Sequence, residues 1–110
     1  MASKTSKGWC VKSRKLLEAV GNPTRLLILA ILLDGEISVN ALSEKLGFTY
    51  TQSALSQHLG KLRRAGLVDT RPDGHSIYYS CNSSAVRHLF TFLEETFGEV
   101  ISERRRARAS

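Results

Sequence analysis

Apolar residues recur with a helical period over several stretches of the chain. The first amphipathic stretch covers residues 9–20 and stops at Gly21. Asn22 and Pro23 then predict a helix start, because Asn caps helix N-termini and Pro suits the first helical position. The helix that follows, to about Leu33, is apolar on nearly every side. Such a helix is expected at the centre of a domain.

Two further helices are predicted in the middle of the chain. Residues 36–38 are too few for a helix and are expected to form a single β-bridge before a short helix over 39–46. A longer helix covers 52–65, where Thr49 and Gln52 fit a capping box that would let it begin as early as Tyr50. Gly66 is expected to end it.

A β-hairpin and a long last helix complete the pattern. Strand-like runs at 67–71 and 76–81 flank Pro72-Asp73-Gly74-His75, which is turn chemistry. The last helix is predicted from about Ser83 to Arg104. Its apolar stripe is longer than one small domain can cover, which favours a dimer face over an internal core alone. The stripe comprises Val86, Leu89, Phe90, Leu93, Phe97, Val100 and Ile101.

Charge is concentrated at the two ends of the chain. The 110 residues carry a net charge of +6, of which +5 lies in residues 1–15 and +4 in residues 104–110, while 16–103 sum to −3. We therefore expect one domain over 9–103, with flexible basic tails at 1–8 and 104–110. Basic ends favour a polyanionic partner, either nucleic acid or a membrane surface, although solvated tails would show the same pattern.

The two cysteines, Cys10 and Cys81, do not form a disulfide framework or a metal-binding cluster. The sequence shows no secretion signal and no apolar run long enough to span a bilayer, so a cytoplasmic location without membrane association is expected. Cys81 is predicted to be a core thiol. Cys10 lies among lysines, which favour thiolate, so a redox role of one or both thiols stays open.

The 52–65 helix carries the most specific chemical signal. Leu55, Leu59 and Leu62 share one face, and the helix contains no acidic residue. The other side carries hydroxyls, amides and cations, which suit base edges and phosphates. A short helix, a turn and this polar helix form a helix-turn-helix arrangement, with the hairpin as a wing. The predicted DNA contacts are Gln52, Ser53, Ser56 and Gln57 for bases, Lys61, Arg63 and Arg64 for phosphates, and Arg71 and His75 on the wing.

The remaining polar residues suggest no enzyme, metal site or cofactor. His58 lies at the flank of the leucine face and is expected to be structural, while His88 is expected to be solvated or at an interface. Neither has a second ligand at helical spacing. The serines of the polar helix lack a base.

Several motifs in order resemble the ArsR/SmtB family of winged-helix repressors. They are the segments 21–29, 52–59, 61–63, 65–68, 73–74 and 77–80, within a match over about 16–100. The resemblance implies a homodimer through the first and last helices, which adds Leu16 and Val20 to the expected interface. It also implies binding to imperfect palindromic operators, usually as a repressor, with Thr51 as a possible phosphate contact.

The chain departs from the family pattern at its sensing sites. The region that commonly carries a Cys-x-Cys metal motif reads Ser38-Val39-Asn40 here, and the zinc positions of the last helix correspond to Ser83, Ala85, Thr96 and Glu99. Neither metal site is therefore expected, and the cysteines do not match the sulfide-sensing pair. The turn at 48–51 is two residues longer than usual.

These observations predict a mainly α, winged helix-turn-helix homodimer that binds double-stranded promoter DNA. The inducer, a small molecule or a redox signal, is not indicated. Two alternatives remain open. One is a thiol-gated sensor of the same fold, and the other is a winged-helix module for protein–protein assembly.

Overall fold

Five helices and three short strands follow one another in residues 7–98, the part of the chain that the computed structural model describes. Their order is α1 (Lys7–Val20), α2 (Pro23–Leu33), β1 (Ile37–Ser38), α3 (Val39–Lys45), α4 (Gln52–Arg64), β2 (Asp69–Asp73), β3 (Ser76–Ser80) and α5 (Ser84–Phe97). Helix α1 thus begins two residues before the predicted domain start. The rest of both predicted tails lies outside the described residues.

Helix α2 lies at the centre of the core, as its sequence predicts. The side chain of Asn22 accepts a hydrogen bond from the backbone N–H of Arg25 at 3.1 Å, which caps the helix behind Pro23. Ile28, Leu29 and Leu32 are fully buried. Burial of each such side chain stabilises the fold by about 1.5–3 kcal/mol. The helices on either side of α2 are therefore held in fixed positions.

The sheet has one strand more than the sequence predicts. Its order is β1-β3-β2, all antiparallel, with Ile37 opposite Tyr79 and Asp73 opposite Ser76. The expected β-bridge is a two-residue strand. Pro72 lies inside β2, which is an edge strand and can spare a backbone donor. The hairpin loop is shorter than predicted and consists of Gly74, with φ of 63°, and His75. Glycine at the first loop position is typical of a type II′ turn.

The last helix ends earlier than predicted. Ser83 caps it by accepting from Val86 N–H at 3.2 Å, but Gly98 has φ of 90° and breaks the helix after Phe97. Glycine reaches this conformation readily because it has no Cβ. The predicted continuation to Arg104 lies outside the described residues.

Candidate nucleic-acid interface

Helix α4 is anchored by one apolar face. Leu55, Leu59 and Leu62 are buried in the core. Thr51 is the N-cap, and its hydroxyl oxygen accepts from Ala54 N–H at 3.0 Å. The predicted capping box is therefore wrong. The Thr49 hydroxyl instead donates to the Leu46 carbonyl at 2.8 Å. The cap leaves the Thr51 hydroxyl proton available as a donor.

The leucine anchor turns the polar side of α4 to solvent. All of the predicted contact residues at its cap and along it are exposed, namely Thr51, Gln52, Ser53, Ser56, Gln57, Lys61, Arg63 and Arg64. Apart from Thr51, the side chains of these predicted contact residues make no hydrogen bond or ion pair with another residue in 7–98. Their donors and acceptors are thus available to an external partner.

Gly60 makes room for a neighbouring cation of its own helix. A Cβ built at Gly60 would lie 3.2 Å from Nη1 of Arg64. The guanidinium of Arg64 therefore folds back one turn along α4, which is the usual direction for a long side chain in a helix. The absence of a Cβ at Gly60 leaves room for this guanidinium.

The wing places its two predicted contacts in different situations. His75 is exposed at the tip of the hairpin. Arg71 is already paired, since its Nη2 and Nε donate to the two carboxylate oxygens of Glu36 at 2.7 and 3.1 Å. Its Nη1 also donates to Asp73 at 3.4 Å, and the guanidinium lies 4.9 Å from the ring centroid of Tyr78. Arg71 is therefore not the free cation that the sequence suggests.

The ion pair between Arg71 and Glu36 shifts the pKa of both residues. Hydrogen bonding to Arg71 lowers the pKa of Glu36, and the same contact raises the pKa of Arg71. The pair is solvent-exposed, so a phosphate approaching the wing can compete with Glu36 for the guanidinium.

A buried arginine connects α4 to the rest of the domain, and the sequence did not single it out. Arg25 is only 8% exposed. Its Nε donates to the carbonyl of Ala19 at 2.6 Å and its Nη2 to the carbonyl of Glu18 at 3.2 Å. Both carbonyls are in the last turn of α1, where helices leave acceptors unsatisfied. The sequence signal that could have identified Arg25 is its position as the one charged residue in the otherwise apolar helix α2.

The third contact of Arg25 is with α4 itself. Its Nη1 lies 3.2 Å from Nδ1 of His58. Since a guanidinium only donates, Nδ1 accepts and the proton of the neutral ring is on Nε2. Burial lowers the pKa of His58, and the charges of Arg25 and Lys61 lower it further. His58 is thus the structural residue that its position at the flank of the leucine face predicted.

The long turn before α4 is tied down at its far end. The hydroxyl of Thr24 donates to the Tyr50 oxygen at 3.1 Å, which links the turn to the first turn of α2. Gly47 and Phe48 both have positive φ, of 75° and 55°. Phe48 is unusual in this conformation because a bulky side chain disfavours it. These contacts fix the point at which α4 begins.

The predicted dimer face is divided between core and surface. Val20, Val86 and Phe90 are buried within the single chain, so they belong to its core and not to an exposed face. Half-buried positions are Leu16, Leu89 and Leu93, and Phe97 is 76% exposed. Val100 and Ile101 lie outside the described residues. The same two helices, α1 and α5, also expose apolar side chains outside the predicted face, namely Trp9, Val11, Leu17 and Phe92.

The two thiols differ in accessibility. Cys10 is exposed, whereas Cys81 is 2% exposed and its pKa is raised by burial. A protonated, buried thiol is a poor nucleophile, so only Cys10 is placed to react with a solute. Within residues 7–98 no group of three potential metal ligands comes together.

The helices of residues 7–98 can be compared with the length and apolarity that a bilayer-spanning helix needs. No single helix there is long and apolar enough to cross a bilayer. Helices α1 and α2 reach that length and composition only when taken together, and they are bent by 92° relative to each other.

Comparison with known proteins assigns the family. The model of the arsR family of bacterial regulatory proteins matches residues 22–70, from the cap of α2 into β2. The transcriptional activator HlyU of Vibrio cholerae is 44% identical over 78% of this chain and 78% of its own length. The chain belongs to the ArsR family. The nodulation protein NolR of Rhizobium meliloti is 49% identical over 76% of this chain and 66% of its own length.

The fold comparison agrees with this assignment. The crystal structure of NolR from Sinorhizobium fredii superposes with a TM-score of 0.79 at 42% identity, covering 91% of this chain and 98% of that one. The winged helix-turn-helix fold is thereby confirmed. The chain is a DNA-binding transcriptional regulator and not an enzyme.

Proposed function

We propose that this regulator binds an imperfect palindromic promoter site as a homodimer and represses transcription by occupying it. The observation that carries this proposal is the outer side of α4. It is exposed, lacks acidic residues, and presents amides, hydroxyls and cations that have no partner among residues 7–98. Two such helices related by a twofold axis would enter successive major grooves about 10 bp apart.

The contacts separate into base-reading and phosphate-binding groups. Gln52, Ser53, Ser56 and Gln57 lie in the N-terminal half of α4, which reaches furthest into the groove in this motif. A glutamine amide offers a donor and an acceptor together, as an adenine edge requires. The DNA backbone would be contacted by the cap hydroxyl of Thr51 and by the later cations of α4, which are Lys61, Arg63 and Arg64. His75 would touch phosphate from the wing.

A small set of substitutions distinguishes these roles on a duplex that the protein selects. Gln57→Ala should cost about 1–3 kcal/mol of binding free energy and relax base preference at one position per half-site. Lys61→Ala should weaken binding to all sequences and reduce the slope of log K against log salt by about 0.9. Asn82→Ala is the matched control, because Asn82 is an exposed amide outside α4. If Gln57→Ala behaved like Asn82→Ala, the assignment of α4 as the reading helix would be wrong.

The dimer is supported by apolar side chains that the single chain leaves in solvent. Leu17 on α1 is 61% exposed, and Phe92 and Phe97 on α5 are 60% and 76% exposed. A second copy is the proposed occupant because the family resemblance and the exposed side chains point to the same two helices. Sedimentation velocity should give a dimer for the wild type and a folded monomer for Leu17→Glu. A monomeric wild type would refute the dimer.

Exposed Cys10 favours one form of the thiol-gated alternative. In that case an oxidant would lower DNA affinity, and Cys10→Ser would abolish the effect while Cys81→Ser would not. The protein-assembly alternative predicts that charge reversal along α4 leaves function intact.

A further inference from the structure

A cationic groove runs beside α4, on the flank of that helix that meets α1. Its volume is about 320 Å³, and its walls come from α1, Arg25 of α2, and the end of α4 and its cap. The residues that line it are Lys15, Glu18, Ala19, Arg25, Lys61, Arg64 and Ala65. The volume is at the lower end of the range of about 300–1,000 Å³ typical of small-molecule sites.

The charges around this groove are unbalanced. Four of its seven lining residues are basic and one is acidic. That acid, Glu18, already accepts from Nε of Arg14 at 2.8 Å. The side chains of Lys15, Lys61 and Arg64 have no ion-pair partner among residues 7–98. Like charges around a concave surface repel one another, so an anion placed among them would relieve the repulsion.

The base of the groove is held in place by hydrogen bonds. Arg25 at its base is held by the carbonyls of Glu18 and Ala19 and by His58. Arg64 folds back over Gly60, which keeps its guanidinium close to α4. Ala19 and Ala65 contribute small apolar surfaces. A ligand with a phosphate group and a short apolar portion fits both parts of this lining.

We propose that the groove binds a small phosphorylated molecule through Lys15, Lys61 and Arg64. Two of these cations, Lys61 and Arg64, are also the proposed DNA phosphate contacts on α4. A ligand in the groove would therefore compete with DNA for them and lower the affinity for the operator. This regulatory consequence rests on the proposed function, but the binding of the anion does not. The same phosphate chemistry could come from the DNA backbone, and the experiment must distinguish the two sources.

The test uses Lys15, which lines the groove but lies outside the proposed DNA contacts. The full chain without DNA is titrated with pyrophosphate and followed by amide chemical shifts, against sodium chloride of matched ionic strength. We expect saturable shifts at Lys15, Lys61 and Ala65, and about tenfold weaker binding for Lys15→Gln, the scale of one charge-assisted hydrogen bond. Lys12→Gln is the control, because it removes the same charge from α1 at a position that does not line the groove.

The second arm measures operator affinity with the same variants. Pyrophosphate should lower the affinity of the wild type and of Lys12→Gln more than matched chloride does, and Lys15→Gln should need about tenfold more pyrophosphate for the same excess. Shifts equal to those with chloride, or equal for both variants, would overturn the site. A salt slope reduced by about 0.9 in Lys15→Gln alone, without pyrophosphate binding to the free protein, would assign the groove to DNA phosphate and overturn the small-molecule proposal.

The two proposals fail separately in these experiments. Specific DNA binding without pyrophosphate binding would refute only the groove. Pyrophosphate binding by a protein that shows no preference for any DNA sequence would refute only the operator-binding proposal.

Discussion

Replacing Arg25 with methionine tests how α4 is held in position. Methionine keeps most of the apolar stem but removes the donors to Ala19, Glu18 and His58, whose distances are 2.6, 3.2 and 3.2 Å. Hydrogen bonds to charged groups contribute about 1.5–3 kcal/mol each. The gain from no longer burying a guanidinium offsets part of this loss. We therefore expect a net loss of about 2–4 kcal/mol in the free energy of unfolding.

The measurement is urea denaturation followed by far-ultraviolet circular dichroism, at one protein concentration for all variants because a dimer's stability depends on concentration. Arg25→Lys is the matched variant, because it keeps the charge but loses the forked geometry. It should recover only part of the loss. A double-mutant cycle with His58→Leu should give a coupling of about 0.5–1.5 kcal/mol.

Two results would refute this reasoning. A loss below about 0.5 kcal/mol for Arg25→Met would place the substitution within the ordinary range of surface changes. A coupling of zero with His58 would mean that the contact between α2 and α4 contributes nothing to stability.

Three further predictions follow from other contacts. Gly60→Ala should raise the free energy of unfolding, measured in urea, by about 0.5–1 kcal/mol, because alanine favours a helix and only the flexible end of the Arg64 side chain must move. Gly66→Ala should lower the free energy of unfolding, because Gly66 has φ of 75°. Equal effects of the two substitutions would contradict this. The pKa of His58 is lowered in the folded state, so the unfolded chain binds the imidazole proton more readily, and stability should be complete above pH 6.5 and fall as the pH drops through the folded pKa. His58→Leu should therefore make the urea midpoint less dependent on pH between about pH 7.5 and 5. An unchanged pH dependence of the midpoint would contradict the role given to His58. Glu36→Gln should release Arg71 and steepen the salt dependence of DNA binding by up to about 0.9 in fluorescence anisotropy; an unchanged slope would show that Arg71 does not reach phosphate.

The parts of the fold that the sequence predicts correctly are those with a local cause. The Asn22-Pro23 start of α2 and the leucine face of α4 depend on neighbours within a few residues, and both are confirmed. The sequence predicts the wrong cap for α4, because Thr49 and Thr51 are both able to cap a helix. Only the geometry of the turn decides between them.

The features that the sequence did not reveal depend on contacts between distant segments. Glu36 and Arg71 are 35 residues apart, and Arg25 and His58 are 33 apart. No periodicity relates such pairs. For the same reason the sequence predicts β1 only as a bridge, since its partner β3 is separated from it by two helices and strand β2. In the candidate site, the exposure of the polar residues of α4 follows from its leucine face, while the pairing of Arg71 and the contacts of Arg25 depend on the fold.

The burial of part of the predicted dimer face has a similar origin. Helical periodicity shows which residues share a stripe but not whether a core or a second copy covers them. Val86 and Phe90 are covered by the chain's own core, and Phe97, further along the same stripe, is left in solvent.

The most direct test of the central claim is selection of bound duplexes from a random DNA pool by the purified full chain. If α4 reads base edges in a dimer, the wild type should enrich an imperfect palindrome with half-sites about 10 bp apart. Binding to the selected sequence should exceed binding to scrambled DNA by at least about 10³-fold. Gln57→Ala should lose enrichment at one position in each half-site. No enriched sequence, or the same sequence enriched with Gln57→Ala, would contradict the account.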